Sequence, residues 1–173
     1  SGLRATILRP TIVFGIGRNP EQDSFLHLLR AIKSGKYHNV SSGKGIYNIV
    51  HAREVARAMI ELEKSNKQSG EIYFINNPIS FNKFSEIVSQ TIKCKKPSNI
   101  SFPFAFTLTA FCSIASKLTS LNLPLNWSRL NALTNITSFS QSLLLKETSY
   151  LPDAAVAQYI EDVCKEYISQ GLL

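Results

Sequence analysis

The chain has 173 residues, of which 44% are apolar, so it can bury a core as a single domain and is neither a disordered segment nor a membrane bundle. Its three cysteines are widely spaced, which favours reduced thiols and a cytoplasmic location over a disulfide framework. The net charge is +7, and residues 1–70 contribute +6 of it. A basic face suits an anionic ligand, and because no basic recognition helix or aromatic-basic motif accompanies it, we expect no nucleic acid as partner.

The first predicted element is a strand within residues 3–14. β-branched and bulky apolar residues dominate this segment, and Gly15 and Gly17 follow it. Pro10 cannot donate to a sheet ladder, so the strand should end or bulge there and emerge at the sheet rim, where ligands bind in doubly wound sheets. Because the chain opens on a strand that we expect to be buried in a sheet, we expect it to be part of a larger domain.

Helices and strands alternate through the middle of the chain. Ser24 is a suitable N-cap for a helix that Gly35 ends. We then expect a strand at residues 47–50, a helix at 52–64, a strand at 72–75 and a helix at 81–93. The inward side chains of the three helices should be Phe25, Leu28, Leu29 and Ile32, then Val55, Ala58, Met59 and Leu62, then Phe84, Ile87, Val88 and Thr91. This alternation predicts an α/β fold.

Residues 98–116 are nineteen residues without a charge, rich in Phe, Ala and Thr. Pro103 and the hydroxyl side chains dilute the stretch, so we expect a buried or interfacial helix rather than a membrane span. Such an apolar segment would suit peripheral contact with a membrane surface. A helix at 126–133, a polar connection and a terminal helix to about residue 169 should follow, the last with Val156, Ile160, Val163 and Tyr167 on one side.

Several short segments resemble, in order, those of one enzyme family. Residues 9–15 resemble its Arg-Pro-x-x-Val-Tyr/Phe-Gly segment, and residues 43–58 resemble its Gly-x-Gly followed by Val-His-Val-x-Asp-Val-Ala. Residues 70–76 resemble its Gly-x-x-Tyr-Asn-Ile strand, and residues 150–152 resemble the end of its Leu-Gly-Tyr-x-Pro tail. The family is that of the extended short-chain dehydrogenases/reductases, or NAD-dependent epimerases/dehydratases, and the resemblance is to their C-terminal half.

The resemblance implies the C-terminal part of a Rossmann-like doubly wound sheet plus a small, mostly helical substrate-binding domain. Residues 1–76 would supply the last Rossmann strands and helices, interleaved with the substrate loop, and residues 77–173 would be mainly substrate-binding domain. The N-terminal dinucleotide-binding part would be absent, since neither Gly15-x-Gly17 nor Gly43-x-Gly45 has the third glycine of the fingerprint. None of the six tyrosines has a lysine four residues later, so the family's Tyr-x-x-x-Lys pair is also missing.

The same resemblance assigns candidate site residues. The residues implied to line the nicotinamide end of NAD or NADP are Pro10, Thr11, Ile12 and Val13. Those implied to contact the substrate are Phe14, Gly15, Lys44 and Tyr47. Tyr47 stands where nucleotide-sugar epimerases have an arginine that grips the diphosphate, and Lys44 offers only a point charge out of register with it.

Two residues of the segment at 43–58 are expected to have structural roles. His51, at a strand–helix junction, should be structural rather than a ligand. Glu54 replaces the family's aspartate and should be a cap or a charge at the positive end of the helix.

Two classes of function remain open at this level. In the first, the chain is the substrate-binding half of an NAD(P)-dependent enzyme and is inactive as an isolated chain. That enzyme would be a sugar-nucleotide epimerase/dehydratase, or an oxidoreductase like 3β-hydroxysteroid dehydrogenase or dihydroflavonol reductase. In the second, the chain is a non-catalytic binding or assembly module of the same fold. Either way the first strand should present an apolar edge, so we expect pairing with a missing N-terminal half or self-association.

Overall fold

The computed structural model describes residues 5–17, 19–65, 70–119 and 126–173. The strands in these residues are β1 (Ile7–Pro10), β2 (Ile12–Phe14), β3 (Asn39–Val40), β4 (Ile46–His51), β5 (Ile72–Ile75), β6 (Asn77–Ser80) and β7 (Asn99–Ile100). The helices are α1 (Ser24–Lys33), α2 (Ala52–Lys64), α3 (Phe81–Thr91), α4 (Phe102–Thr119), α5 (Trp127–Thr134), α6 (Ser142–Glu147) and α7 (Val156–Ser169), with a short 3-10 turn at Ser41–Gly43. The fold is α/β, as predicted.

The strands form three small sheets. β1 pairs in parallel with β5, β2 pairs in parallel with β4, and β6 adds to β4 in the antiparallel sense. β3 and β7 form a short parallel pair. The chain leaves the β1–β5 ladder after Pro10 and joins β4 from Ile12 onward, so the predicted break at the proline is confirmed.

Two main clusters of buried side chains hold these elements together. The larger packs α1, α3 and α7 against β2, β4 and β6, and includes Phe14, Leu26, Leu29, Ile49, Phe84 and Ile160. The second packs α2 and α6 against β1, β4 and β5, and includes Val50, Ala58, Leu62, Tyr73, Leu144 and Tyr150. Fully burying one such aliphatic or aromatic side chain contributes about 1.5–3 kcal/mol, so both clusters are main supports of the fold.

Several local predictions are corrected. Asp23, not Ser24, caps α1, because its Oδ1 accepts hydrogen bonds from the amides of Phe25 (2.9 Å) and Leu26 (3.2 Å). Met59 is 55% exposed rather than buried, since α2 turns Glu54, Ala58 and Leu62 inward instead. The connection after α5, predicted only to be polar, contains the helix α6.

The charge-free segment becomes a surface helix in its described part. α4 begins at Phe102, and Pro103 sits in its first turn, where the missing amide costs no hydrogen bond. Ala105 and Thr109 are buried, while Phe104, Phe106 and Phe111 are exposed. Among the described helices, none combines the length and the hydropathy needed to cross a membrane.

Candidate functional site

A cavity of about 390 Å³, here called the strand-end cavity, opens where β1 ends and β2 begins. Its lining residues are Pro10, Thr11, Ile12, Ile46, Tyr47, Asn48, Phe74, Phe81, Ala132, Asn135 and Phe139. None of these lining residues carries a charge. The cavity brings together four of the residues that sequence reasoning selected, Pro10, Thr11, Ile12 and Tyr47.

Asn76, which sequence reasoning missed, holds Thr11 and Asn48 in place at the wall of this cavity. It is fully buried directly after β5, where its Oδ1 accepts a hydrogen bond from the Thr11 hydroxyl (3.0 Å). Its Nδ2 donates to Asn48 Oδ1 (2.9 Å) and to the carbonyl of Phe139 (3.1 Å). A buried amide that serves three segments at once holds them in one arrangement. The sequence signal was a polar residue, followed by a second asparagine, immediately after an apolar strand.

Replacing this amide should loosen the cavity wall. We expect Asn76→Ala to lower the free energy of unfolding by about 1–3 kcal/mol, because Thr11, Asn48 and the Phe139 carbonyl lose a buried partner. Urea unfolding measures the effect. Asn77→Ala, at the half-buried next position, is the control and should cost clearly less. Equal losses in the two variants would contradict the role assigned to Asn76.

Tyr47 is an aromatic wall rather than a charged contact. Its ring stacks on Phe81 with centroids 5.0 Å apart and meets Phe84 edge-on at 5.2 Å. Burial raises the pKa of Tyr47 to about 12, so its hydroxyl is neutral at physiological pH. Lys44 is exposed and does not line the strand-end cavity, so the structure does not bring its charge to the place of the missing arginine.

The remaining predicted residues, Val13, Phe14 and Gly15, lie at a separate cleft of about 500 Å³ beside the start of α1. The Phe14 side chain belongs to the core, stacked on Phe25 at 4.9 Å. The carbonyl of Gly15 accepts a hydrogen bond from the Tyr167 hydroxyl (3.2 Å), which also contacts the Asp23 carboxylate. The helix α7 therefore holds the segment after β2 in place.

His51 has a structural role at the start of α2. Its Nδ1 accepts a hydrogen bond from the amide of Arg53 (3.3 Å), so it is the N-cap of the helix. Its ring stacks on Tyr159 with centroids 4.3 Å apart. Burial, with a smaller effect from Arg53, lowers the pKa of His51, which favours the neutral imidazole that an accepting cap requires.

Glu54 is the centre of a buried polar cluster and not a cap. Its carboxylate accepts hydrogen bonds from the hydroxyls of Tyr150 and Tyr159, both at 2.5 Å. It also accepts from the amide of Asp153 (3.2 Å) and pairs with Arg57 (3.1 Å). Burial alone would raise the pKa of Glu54, but these donors together hold it below its ordinary value. The cluster fastens α7 and the segment before it onto α2.

This lowered pKa makes stability depend on pH in the acid range. A carboxyl group whose pKa falls on folding stabilises the folded state above its unfolded pKa of about 4.3, and that contribution disappears as the pH falls through the folded pKa. We therefore expect urea-unfolding free energies to fall steeply as the pH drops below about 4. Glu54→Gln should remove much of this dependence of the unfolding free energy on pH. An unchanged pH dependence in the variant would contradict the role assigned to Glu54.

Comparison with known proteins agrees with this architecture. Residues 1–75 match the NAD dependent epimerase/dehydratase family. No curated protein matches the chain.

Solved structures share the fold of nearly the whole chain. The protein gox2253 superimposes with a TM-score of 0.73 at 19% identity, covering 97% of this chain and 50% of its own. A nucleoside-diphosphate-sugar epimerase from Pseudomonas aeruginosa gives a TM-score of 0.68 at 16% identity over 99% of this chain and 50% of its own. UDP-glucuronic acid 4-epimerase from Bacillus cereus, solved in complex with NAD, gives 0.63 at 14% identity over 99% and 46%.

The chain thus spans about half the length of the structures it matches. At these identities the likeness establishes the fold alone, and the family match is confined to residues 1–75. The chain has the Rossmann-like α/β fold of these solved structures, and residues 1–75 match the NAD dependent epimerase/dehydratase family.

Proposed function

We propose that the chain is the substrate-binding half of an NAD(P)-dependent epimerase, dehydratase or reductase, with residues 1–76 carrying the last Rossmann elements and 77–173 mainly the substrate-binding domain. Its strand-end cavity receives the nicotinamide end of NAD or NADP together with the reacting part of a small-molecule substrate. Taken alone, the chain catalyses no turnover, because its sequence has neither the glycine-rich fingerprint nor the Tyr-x-x-x-Lys pair.

One observation carries this proposal. Ile12 and Val13 are β-branched strand residues, yet they are 54% and 47% exposed. Together with exposed Pro10 they form an apolar edge, of which Pro10 and Ile12 line the strand-end cavity. Exposed apolar surface beside a concave site is typical of surface that a ligand covers. The edge coincides with the segment that the family resemblance assigns to the nicotinamide.

The lining also fits a flat aromatic amide. Phe74, Phe81 and Phe139 supply ring faces, while Thr11 and Asn48 supply polar atoms at the cavity wall. When bound, the nicotinamide supplies hydride transfer to or from a carbinol carbon. The chain's own part is to position the ring and the substrate and to exclude water, with Asn76 keeping Thr11 and Asn48 in fixed places.

Nicotinamide mononucleotide tests the proposal, with adenosine monophosphate as the comparison. We expect saturable shifts of the amide signals of Thr11, Ile12, Val13 and Asn76 in NMR spectra of the chain with the former only. Ile12→Glu should weaken this binding. The same substitution at Ile72, which is exposed on β5 away from the cavity lining, is the matched control and should not. Equal responses to both nucleotides, or shifts elsewhere only, would overturn the proposal.

The open strands lead to a prediction about assembly. Outside the lining of the strand-end cavity, the β1–β5 pair exposes Ile7 and Ile72. Exposed apolar strands with unpaired edges recruit further strands. We expect the purified chain to self-associate in light scattering unless a complementary half is supplied, and to shift toward monomer with Ile7→Lys. A monodisperse monomer at all concentrations would contradict this expectation.

A further inference from the structure

A second cavity, here called the side cavity, has a volume of about 460 Å³. Its lining residues are Leu28, Lys36, Tyr37, His38, Val40, Tyr47, Phe81, Ile100, Leu108, Arg129, Ala132 and Leu133. Tyr47, Phe81 and Ala132 also line the strand-end cavity, so the stacked Tyr47 and Phe81 rings form a wall common to both. A molecule in the side cavity would therefore lie next to the proposed reaction site.

The interior of the side cavity is apolar apart from the hydroxyl groups of Tyr37 and Tyr47. Its aliphatic lining comes from α1, β3, β7, α4 and α5. The buried hydroxyl of Tyr37 has no hydrogen-bond partner among the described residues. Burial, with a smaller effect from Tyr47, raises the pKa of Tyr37 far above its ordinary value, so the group stays protonated and can donate. An unpaired buried hydroxyl costs folding free energy that a bound acceptor would recover.

Only cations occur among the charged residues of the lining. Lys36 and Arg129 are both exposed at the mouth, and no lining residue is acidic. His38 lies beside them, with its Nδ1 at 2.8 Å from the Ser98 hydroxyl. Apolar walls with a positive mouth suit a ligand that has an apolar body and an anionic end.

We propose that the side cavity binds an amphiphilic anion whose apolar ring system lies among the aliphatic side chains, with an oxygen near Tyr37 and an anionic group at Lys36 and Arg129. A nucleobase fits less well, because it carries several polar atoms and the interior side chains offer the hydroxyl groups of Tyr37 and Tyr47 among aliphatic groups. That this ligand is the substrate rests on the proposed function, while the binding itself needs no cofactor.

Three probes separate the contribution of the apolar ring from that of the anionic group in isothermal titration calorimetry with the purified chain. Naphthyl phosphate has the ring and the charge, naphthol has the ring alone, and uridine monophosphate has the charge on a polar body. We expect naphthyl phosphate to bind tightest and naphthol about three- to tenfold more weakly, with uridine monophosphate weakest. Uridine monophosphate binding as tightly as naphthyl phosphate would overturn the proposal.

Four variants locate the binding. Leu108→Trp, which fills the mouth from α4, should abolish binding of both naphthyl probes; Phe111→Trp, on the same helix but outside the lining, should leave it unchanged. Tyr37→Phe should weaken both probes about three- to tenfold. Lys36→Met should weaken naphthyl phosphate about two- to fivefold and leave naphthol unaffected.

The outcomes distinguish this inference from the proposed function. Naphthyl phosphate that binds equally well to the Leu108→Trp variant would place its site elsewhere and overturn the inference, whatever nicotinamide mononucleotide does. Conversely, binding of naphthyl phosphate that responds to these variants, without nicotinamide mononucleotide shifts at residues 11–13, would uphold the side cavity and refute the cofactor assignment.

Discussion

Replacing Glu54 with alanine should lower the free energy of unfolding by about 3–5 kcal/mol, since it removes the acceptor from a buried, charged hydrogen-bond cluster. The hydroxyls of Tyr150 and Tyr159 and the amide of Asp153 would lose their carboxylate partner at once. Both tyrosines are buried, so water cannot easily replace it. Urea unfolding followed by circular dichroism measures the loss.

Glu61→Ala is the matched control on the same helix. Glu61 pairs with Lys64 at 2.8 Å on the outer face of α2, and removing such a surface pair costs less than about 1 kcal/mol. A Glu54→Ala chain as stable as the Glu61→Ala chain would mean that the cluster does not anchor α7. Hydrogen exchange gives a second measure, because α7 should lose protection in the first variant alone.

Gly45→Ala should be the most damaging change at the cavities. A Cβ at Gly45 would lie 2.1 Å from the carbonyl oxygen of Leu133, a backbone atom that cannot rotate away. Ile46, next in the chain, donates its amide to the carbonyl of Asn135 at 2.7 Å, so β4 and the end of α5 are locked together there. We expect a loss of about 2–3 kcal/mol. Because Ala132 lines both cavities, binding of naphthyl phosphate and nicotinamide mononucleotide should also fall.

Gly35→Ala is the control that separates the steric clash at Gly45 from the backbone cost of replacing a glycine. Gly35 has φ +71° and open space around it, so alanine there meets only the backbone cost of about 1 kcal/mol. It should leave ligand binding unchanged. Equal destabilisation of the two variants, with intact binding in both, would show that α5 moves away from β4 without penalty.

Local patterns were sufficient for most of the longer regular elements. Residues 52–64 and 72–75 were predicted as a helix and a strand, and α2 and β5 have those bounds. Their apolar periodicity and β-branched content are strong over short windows. The two-residue strands β3 and β7 and the six-residue helix α6 were missed, because segments of that length show no period.

Long-range polar partners account for most other errors. Met59 was predicted to face inward with the other apolar residues of its helix, but it is exposed. Glu54 faces inward instead and contacts Tyr150 and Tyr159, about a hundred residues further on. Asn76 depends in the same way on Phe139. A single sequence contains no signal that joins such partners.

The candidate site was predictable in part. Residues 10–13 and Tyr47 were selected because of the motif resemblance. All of them except Val13 line the strand-end cavity. Lys44 was selected for its charge, but the turn that contains it leaves it exposed outside that cavity. Tyr37 belongs to no recognised motif. Only the structure shows that its buried hydroxyl has no hydrogen-bond partner among the described residues.

The position of the nicotinamide ring on the chain decides most directly whether the strand-end cavity is the cofactor site. Nuclear Overhauser effects between the ring protons of NADH and the methyl groups of the chain report this position. If the nicotinamide lies in the strand-end cavity, we expect contacts to the methyl groups of Ile12 and Val13 and none to Ile72, which pairs with Ile7 in the β1–β5 ladder. Contacts from the adenine ring alone, or none from nicotinamide to residues 11–13 in a folded sample, would contradict it.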